Sequence, residues 1–339
     1  MTAPSSAPIF VVGTPRSGTT LTATILARHS RVFVGGENHF FEDIYARRRK
    51  LGSLEDASSL RRVLLRLSTI YGRYNQNDDQ ERVEKLMRDP RIGGALSECR
   101  SYREVLSAFM EMQARDSGKA RWGNNTPKDI FHVDDILSFY PDARVLVCVR
   151  DVRDFLLSYK NRWKVTTPAH RERLKALYHP MVTSLLWKST IRRIPALQAL
   201  VPTGNLMIVR YEALVSQPER VVQDVCRTIG EAYESDMLHV DSHNSSADKS
   251  ETGIFSSSVG SWRDGLENEE AYIAERLNRS ELRRLGYPFQ SGAVDYARCV
   301  SHALTFPRAV LRAPHANADH RGPLLPYLGK RVKALLGIR

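Results

Sequence analysis

Near the start of the chain, Ile9-Phe-Val-Val-Gly-Thr-Pro-Arg-Ser-Gly-Thr-Thr-Leu21 runs from an apolar stretch through a short loop bounded by Gly13 and Gly18 into a helical pattern. Glycines at this spacing let successive backbone N–H groups and a helix N-terminus surround an anionic phosphate. Thr19 stands where a nucleoside-triphosphatase loop carries the Lys that reaches the β- and γ-phosphates, and Arg16 is the nearby cation instead. The loop predicts an anion grip made by Arg16, Ser17, Gly18, Thr19 and Thr20. A second cluster, Arg150-Asp-Val-Arg-Asp-Phe-Leu-Leu-Ser158, follows a buried-type apolar run, and in open parallel sheets ligands bind outside the carboxyl ends of the strands. Arg150, gripping in a bidentate fashion, and Ser158, read as a helix-start hydroxyl, suit a second phosphate. Two phosphate grips without the lysine suggest a nucleotide with phosphates at both ends of its ribose.

The elements that must hold these residues alternate. Leu21, Ile25 and Leu26 share one helical face, and Arg31-Val-Phe-Val34 reads as a second strand. Residues 42–116 have a helical, Arg-rich pattern, a long excursion that suits a substrate-facing insertion. Trp122 leads into a loop, 130–140 is an amphipathic helix, 143–149 a buried strand and 151–159 helical. A longer helix over 181–200, a strand at 205–210 and a Pro218-started helix to Ile229 follow. Residues 239–261 form a polar loop, and the core ends near Tyr287-Pro288. This order predicts an α/β fold of the P-loop type, three layers around a central parallel sheet with a helical insertion. One domain would span 1–290, with a basic tail over 291–339. The amphipathic end of that tail, 328–339, reads either as a helix docked on its own domain or as a weak peripheral contact with a membrane or partner.

With 339 residues, 42% hydrophobic and 26% charged, the chain can bury one large core. Its net charge of +12 attracts an anionic ligand, nucleic acid or an acidic membrane surface. No helix-turn-helix, RNP-like or zinc-finger pattern accompanies the charge, which argues against nucleic acid. Cys99, Cys148, Cys226 and Cys299 are far apart, without zinc spacing, and read as buried thiols, with disulfides the lesser alternative. No run reaches the roughly 18–20 apolar residues of a membrane span, and the first strand lies too close to Met1 for a signal peptide. A cytoplasmic location is the expectation.

The motifs carry a resemblance. Thr14-Pro-Arg-Ser-Gly-Thr-Thr20 resembles the 5′-phosphosulfate loop of sulfotransferases that use 3′-phosphoadenosine 5′-phosphosulfate (PAPS), and Val149-Arg-Asp-Val-Arg-Asp-Phe-Leu-Leu-Ser158 resembles their 3′-phosphate motif. The likeness extends over about residues 9–288, through Phe139-Tyr-Pro-Asp-Ala-Arg144, Arg210-Tyr-Glu-Ala-Leu214 and Val259-Gly-Ser-Trp262, and is closest to the bacterial branch related to tyrosylprotein sulfotransferases. It implies transfer of a sulfuryl group to a hydroxyl of a carbohydrate, lipid, peptide tyrosine or small metabolite, with 3′-phosphoadenosine 5′-phosphate (PAP) as product and no metal. It also implies Arg16 in catalysis and donor binding, Arg162 beside Arg150 and Ser158 at the 3′-phosphate, and Tyr211 near the adenine.

Such a transfer needs an in-line acceptor, a base and donors around the developing charge. Glu37, after Gly35-Gly36, matches in register the catalytic Glu of the tyrosylprotein branch. A solvated loop carboxylate or an ion pair with Arg16 are its structural alternatives, and His39 is the rival base. One departure is Asn125-Thr-Pro127, where many relatives carry a Lys that helps the phosphate leave; Lys128 or Arg16 with Thr19 would have to compensate. Another is Ser261, where many bacterial members place Arg or Lys before the Trp. The competing readings are an ATP- or GTP-dependent kinase-like protein, disfavoured by the absent lysine and Mg²⁺ pattern, and a noncatalytic nucleotide binder.

Overall fold

The computed structural model describes residues 6–338 apart from 75–95, 97, 166–170, 172–173, 176, 241–252, 291 and 317–323. Five parallel strands, β1 (Ile9–Gly13), β2 (Val32–Gly35), β3 (Arg121–Asn125), β4 (Arg144–Val149) and β5 (Leu206–Arg210), form one sheet in the order β2-β3-β1-β4-β5. Chain connections leave β1 and β4 toward opposite edges, so the crevice at their carboxyl ends is a topological switch point. The pairing of Gly13 with Cys148 lies at that crevice.

Side chains alternate across β1 because the strand period is two. Ile9 and Val11, with Leu146 and Cys148, pack against α1 (Thr19–Arg28) and, further along the chain, the helix Pro218–Ile229 through Ile25, Leu26, Val222 and Ile229. Phe10 and Val12, with Val145 and Val147, face the opposite layer. There the helices are α2 (Ala57–Tyr74), α3 (Tyr102–Asp116), α4 (Val133–Phe139), α5 (Val152–Lys160) and α6 (Pro180–Ile191). The result is the three-layer α/β fold expected from the sequence. Trp187 of α6 is fully buried, and its indole N–H donates to the Arg150 carbonyl at 2.9 Å, tying this core layer to the end of β4. A buried donor left without such a partner costs about 1–3 kcal/mol.

Two local expectations are corrected. Arg-Trp-Gly-Asn-Asn at 121–125, read as leading into a loop, is the interior strand β3. Its one charged side chain is held through Nε and Nη1: Arg121 donates to the Ala7 and Ile229 carbonyls at 2.6 Å each and pairs with Glu231 at 3.1 Å. Gly123 lies so near β1 that a Cβ would stand 3.2 Å from the Ile9 carbonyl oxygen. The helix expected over 181–200 is two helices, α6 and α7 (Ile194–Leu200), and the second has Pro195 in its first turn, where a missing N–H is tolerated.

Of the helical excursion, α2 and α3 are described and 75–95 lies outside the described residues. α3 opens with a reciprocal capping box: Ser101 Oγ accepts the Glu104 N–H at 3.2 Å, and Glu104 accepts the Ser101 N–H at 3.1 Å. After β5 come α8 (Tyr211–Ser216), α9 (Pro218–Ile229), α10 (Asn268–Leu277), α11 (Tyr296–Ala316) and α12 (Leu324–Leu336). The polar loop expected over 239–261 is described only outside 241–252. No helix among the described residues is long and apolar enough to cross a membrane.

Candidate active site

The loop between β1 and α1 depends on two glycines. Gly13 has φ 141°, and a Cβ there would lie 2.3 Å from the Cys148 carbonyl oxygen, so β1 and β4 close only around glycine. Gly18, at φ 87°, is the left-handed residue before α1, and a Cβ on it would stand 2.7 Å from the Tyr211 ring. Between them Arg16 holds φ 68°, a left-handed conformation that costs a side-chain-bearing residue energy and that clusters at functional sites. The Ser17 N–H closes the loop on the Thr14 carbonyl at 3.2 Å. The hydroxyls of Thr14 and Ser17 are buried and have no hydrogen-bond partner among the described residues. No side chain caps α1. Thr19 is buried in its first turn, whereas Thr20 is exposed there.

From β4 comes the second cation. Arg150 directly follows the strand; its Nη2 donates to the Ser258 carbonyl at 2.6 Å and its Nη1 to the Arg16 carbonyl at 3.5 Å. Its Nε is buried without a partner among the described residues. The guanidinium stacks on the Tyr211 ring, 4.4 Å from its centroid, and the Tyr211 hydroxyl bonds Ser258 Oγ at 2.6 Å. Arg16 Nε donates to Ser158 Oγ at 3.0 Å. Ser158 is not at a helix start, as its sequence context suggested, but is the seventh residue of nine in α5, which turns its hydroxyl toward the loop from the far end. Arg162, in the turn after α5, stacks on Tyr159 at 5.1 Å. Burial pushes the Arg16 pKa down, and the charges of Arg150 and Arg162 push it the same way. Cations that raise one another's energy in this manner are relieved by an anion placed among them.

Sequence reasoning did not single out Asp154 or Ser258, which complete this wall. Asp154 accepts the Gly260 and Trp262 N–H groups at 2.8 and 3.1 Å, folding that segment over Arg150. Burial raises its pKa against those bonds and the Arg150 charge. The only sequence signal was the Val259-Gly-Ser-Trp262 resemblance itself.

The candidate base comes from the carboxyl end of β2, the edge strand two places from β1 in the sheet. Glu37 lies two residues beyond β2 with its side chain 34% exposed, open enough to meet a ligand. Its Oε2 is bound not to a guanidinium but to His39 Nε2, at 2.9 Å. The other imidazole nitrogen, Nδ1, lies 3.3 Å from Glu42 Oε2, and Glu42 pairs with Lys128 at 3.3 Å. Burial disfavours the imidazolium, but the two carboxylates outweigh it and the His39 pKa is raised. Glu42 shows the reciprocal effect: Lys128 and His39 overcome its burial and hold it at about 2. His39 is thus a bridge between two carboxylates and not an independent base.

Behind this chain, Asn38 donates its backbone N–H to Thr126 Oγ1 at 3.3 Å, Thr126 donates to Asn124 Oδ1 at 3.2 Å, and Asn124 donates to Asp129 Oδ2 at 3.0 Å. Asp129 is wholly buried and its pKa is pushed up to about 8 by burial. Asn125 is buried with its Oδ1 unpartnered among the described residues. Lys128 faces elsewhere, lining a groove of about 310 Å³ with Glu42, Tyr45, Phe131, Tyr327 and Arg331. Glu42 of that groove is linked to Glu37 through the His39 imidazole.

A five-stranded parallel sheet with a glycine-bounded loop at its switch point, and Arg16 and Arg150 beside that loop, defines a three-layer α/β protein of P-loop-like fold. The particular family follows from comparison: the model described as "Sulfotransferase family" matches residues 8–235, and the chain belongs to that family. Nodulation protein NoeE of Sinorhizobium fredii is 22% identical over 299 residues, 82% of this chain and 65% of that protein. An uncharacterized protein of Aquifex aeolicus is 26% identical over 270 residues, 77% of this chain and 31% of the relative. The chain therefore spans about a third and just under two thirds of these two relatives. The fold is similar to the sulfotransferase domain of the Synechococcus PCC 7002 olefin synthase, with a TM-score of 0.50 at 19% identity over 79% of this chain and 93% of that one.

Proposed function

We propose that this chain transfers a sulfuryl group from PAPS to an acceptor hydroxyl, with Glu37 as general base. The observation that carries the reading is the group of unpartnered buried donors at the switch point, the Thr14 and Ser17 hydroxyls and Arg150 Nε, set around Arg16 and an uncapped helix start. Such groups cost energy unless a ligand satisfies them. Arg16, Ser17, Gly18, Thr19 and Thr20 would hold the 5′-phosphosulfate, the exposed Thr20 through its backbone N–H. Arg150, Ser158 and Arg162 would hold the 3′-phosphate, and Tyr211, stacked on Arg150 and pressed on Gly18, would border the adenine. The bound donor supplies a sulfuryl group on a phosphate leaving group.

His39 fixes Glu37 by Oε2, which leaves Oε1 to take the acceptor proton. Arg16 and the N–H groups of Thr19 and Thr20 meet the charge that develops on the departing phosphate. Four cysteines without disulfide partners accord with a reducing, cytoplasmic setting. The test is Glu37→Gln assayed with radiolabelled PAPS against a panel of hydroxyl acceptors. Turnover should fall by roughly a hundredfold or more while PAP binding is unchanged. Near-full activity of the variant would remove Glu37 from the role.

A further inference from the structure

The last two helices each dock by one face and expose an apolar stripe on the other. α11 docks on the start of α6: His179 Nε2 bonds Thr305 Oγ1 at 3.2 Å, and the His179 ring meets Phe306 at 6.0 Å. Facing away from that contact, Tyr296, Val300, Leu304 and Leu311 fall within an arc of about 80° at 100° per residue, with Leu304 77% and Leu311 73% exposed. α12 docks through Lys330, whose Nζ donates to the Phe131 carbonyl at 3.0 Å, through Arg331, which bonds Ser189 Oγ at 3.3 Å and stacks on Phe131, and through buried Ala334. Its opposite side carries Leu325, Leu328, Val332 and Leu336, again within about 80°, and Leu325 is 81% exposed. Both helices pack on α6.

A helix that docks by one side and exposes an apolar stripe on the other normally has a second partner. Charge identifies that partner. Residues 296–339 contain eight Arg and Lys against one acidic residue, Asp319, and exposed Arg308, Arg312 and Lys333 border the free stripes. A second copy of this chain would bring those cations against their own kind. An anionic bilayer offers hydrocarbon to the stripe and phosphate to its margins. We infer that α11 and α12 form a docking surface for an anionic lipid bilayer, with Leu304, Leu311, Leu325 and Leu336 entering the interface and Arg308, Arg312 and Lys333 meeting the headgroups. α12 also supplies Tyr327, Lys330 and Arg331 to the 310 Å³ groove, so docking sets that groove beside the membrane. The inference does not depend on sulfuryl transfer.

The test is flotation of the full chain with phosphatidylcholine vesicles, with and without phosphatidylglycerol. Binding is expected only with the anionic lipid and should weaken as salt rises. Leu311→Asp combined with Leu325→Asp, both at exposed positions, should lower partitioning by about tenfold or more, with the melting temperature and PAP affinity unchanged. Absence of binding to the anionic vesicles, or equal binding by the Asp variant, overturns the inference. So does a concentration-dependent dimer that the variant dissolves while the wild-type chain ignores vesicles, since the stripes would then belong to a second copy.

Discussion

Replacing Arg150 tests the division of labour between the two anion grips. Two of its donors are held by the Ser258 and Arg16 carbonyls, at 2.6 and 3.5 Å, and Nε is buried without a partner among the described residues. A phosphate that engages Nε forms one charge-assisted hydrogen bond, about 1.5–3 kcal/mol, which corresponds to about 10- to 150-fold in Kd. Arg150→Ala should therefore weaken PAP binding by that factor. Arg150→Lys should recover part of it, because Nζ keeps the charge but neither the fork nor the stacking on Tyr211. Both substitutions free the Ser258 carbonyl and loosen the 258–262 segment, which would weaken any adenine nucleotide. Calorimetry with PAP and with adenosine 5′-phosphate, which lacks the 3′-phosphate, separates the effects: both should weaken through the loosened segment, and PAP should lose about 10- to 150-fold more than the other. Equal losses for both ligands would refute the assignment of Arg150 to the 3′-phosphate.

Two further outcomes follow from the β3 end of the crevice. Asp129, with a folded pKa of about 8 against an ordinary 3.8, binds its proton more tightly in the folded chain. Its contribution to stability is full below about pH 4, drains at up to about 1.4 kcal/mol per pH unit as pH rises, and is gone above about pH 8. Asp129→Asn should flatten that part of the curve in denaturant titrations between pH 5 and 8, and an unchanged slope would contradict the assignment. Asn125→Lys restores the cation that the family resemblance leads one to expect; turnover should rise about tenfold or more, while the apo chain melts earlier because the ammonium is buried. Unchanged turnover would mean that Arg16 and Thr19 already supply the stabilisation.

Much of this site is written in residues that leave strong local signals. Gly13 and Gly18 are required by a close strand approach and a left-handed helix entry, and both announce themselves as glycines between an apolar strand and a helix. β1 and β4 are legible because strands buried on both faces read as apolar runs. β3 is not, since Arg121 is neutralised by Glu231 and two distant carbonyls, contacts that lie 108 and more residues away for Ile229 and Ala7. The spacing from Arg150 does not reveal where α5 begins, so Ser158 reads as a helix-start residue although it lies near the helix's far end. The His39 bridge was also hidden: a positive φ of 48° turns its ring between Glu37 and Glu42, and nothing in the local pattern dictates that turn. The apolar stripes of α11 and α12 could be read as periodicity, but which side of each helix is docked is decided by α6.

The most direct measurement is calorimetric titration of the chain with PAP and, separately, with ATP and Mg²⁺. The account turns on a phosphate loop that has Thr19 in place of a lysine and a second grip at Arg150, so PAP should bind at least about tenfold more tightly, the worth of one charge-assisted bond. Tighter binding of ATP with Mg²⁺ would contradict it.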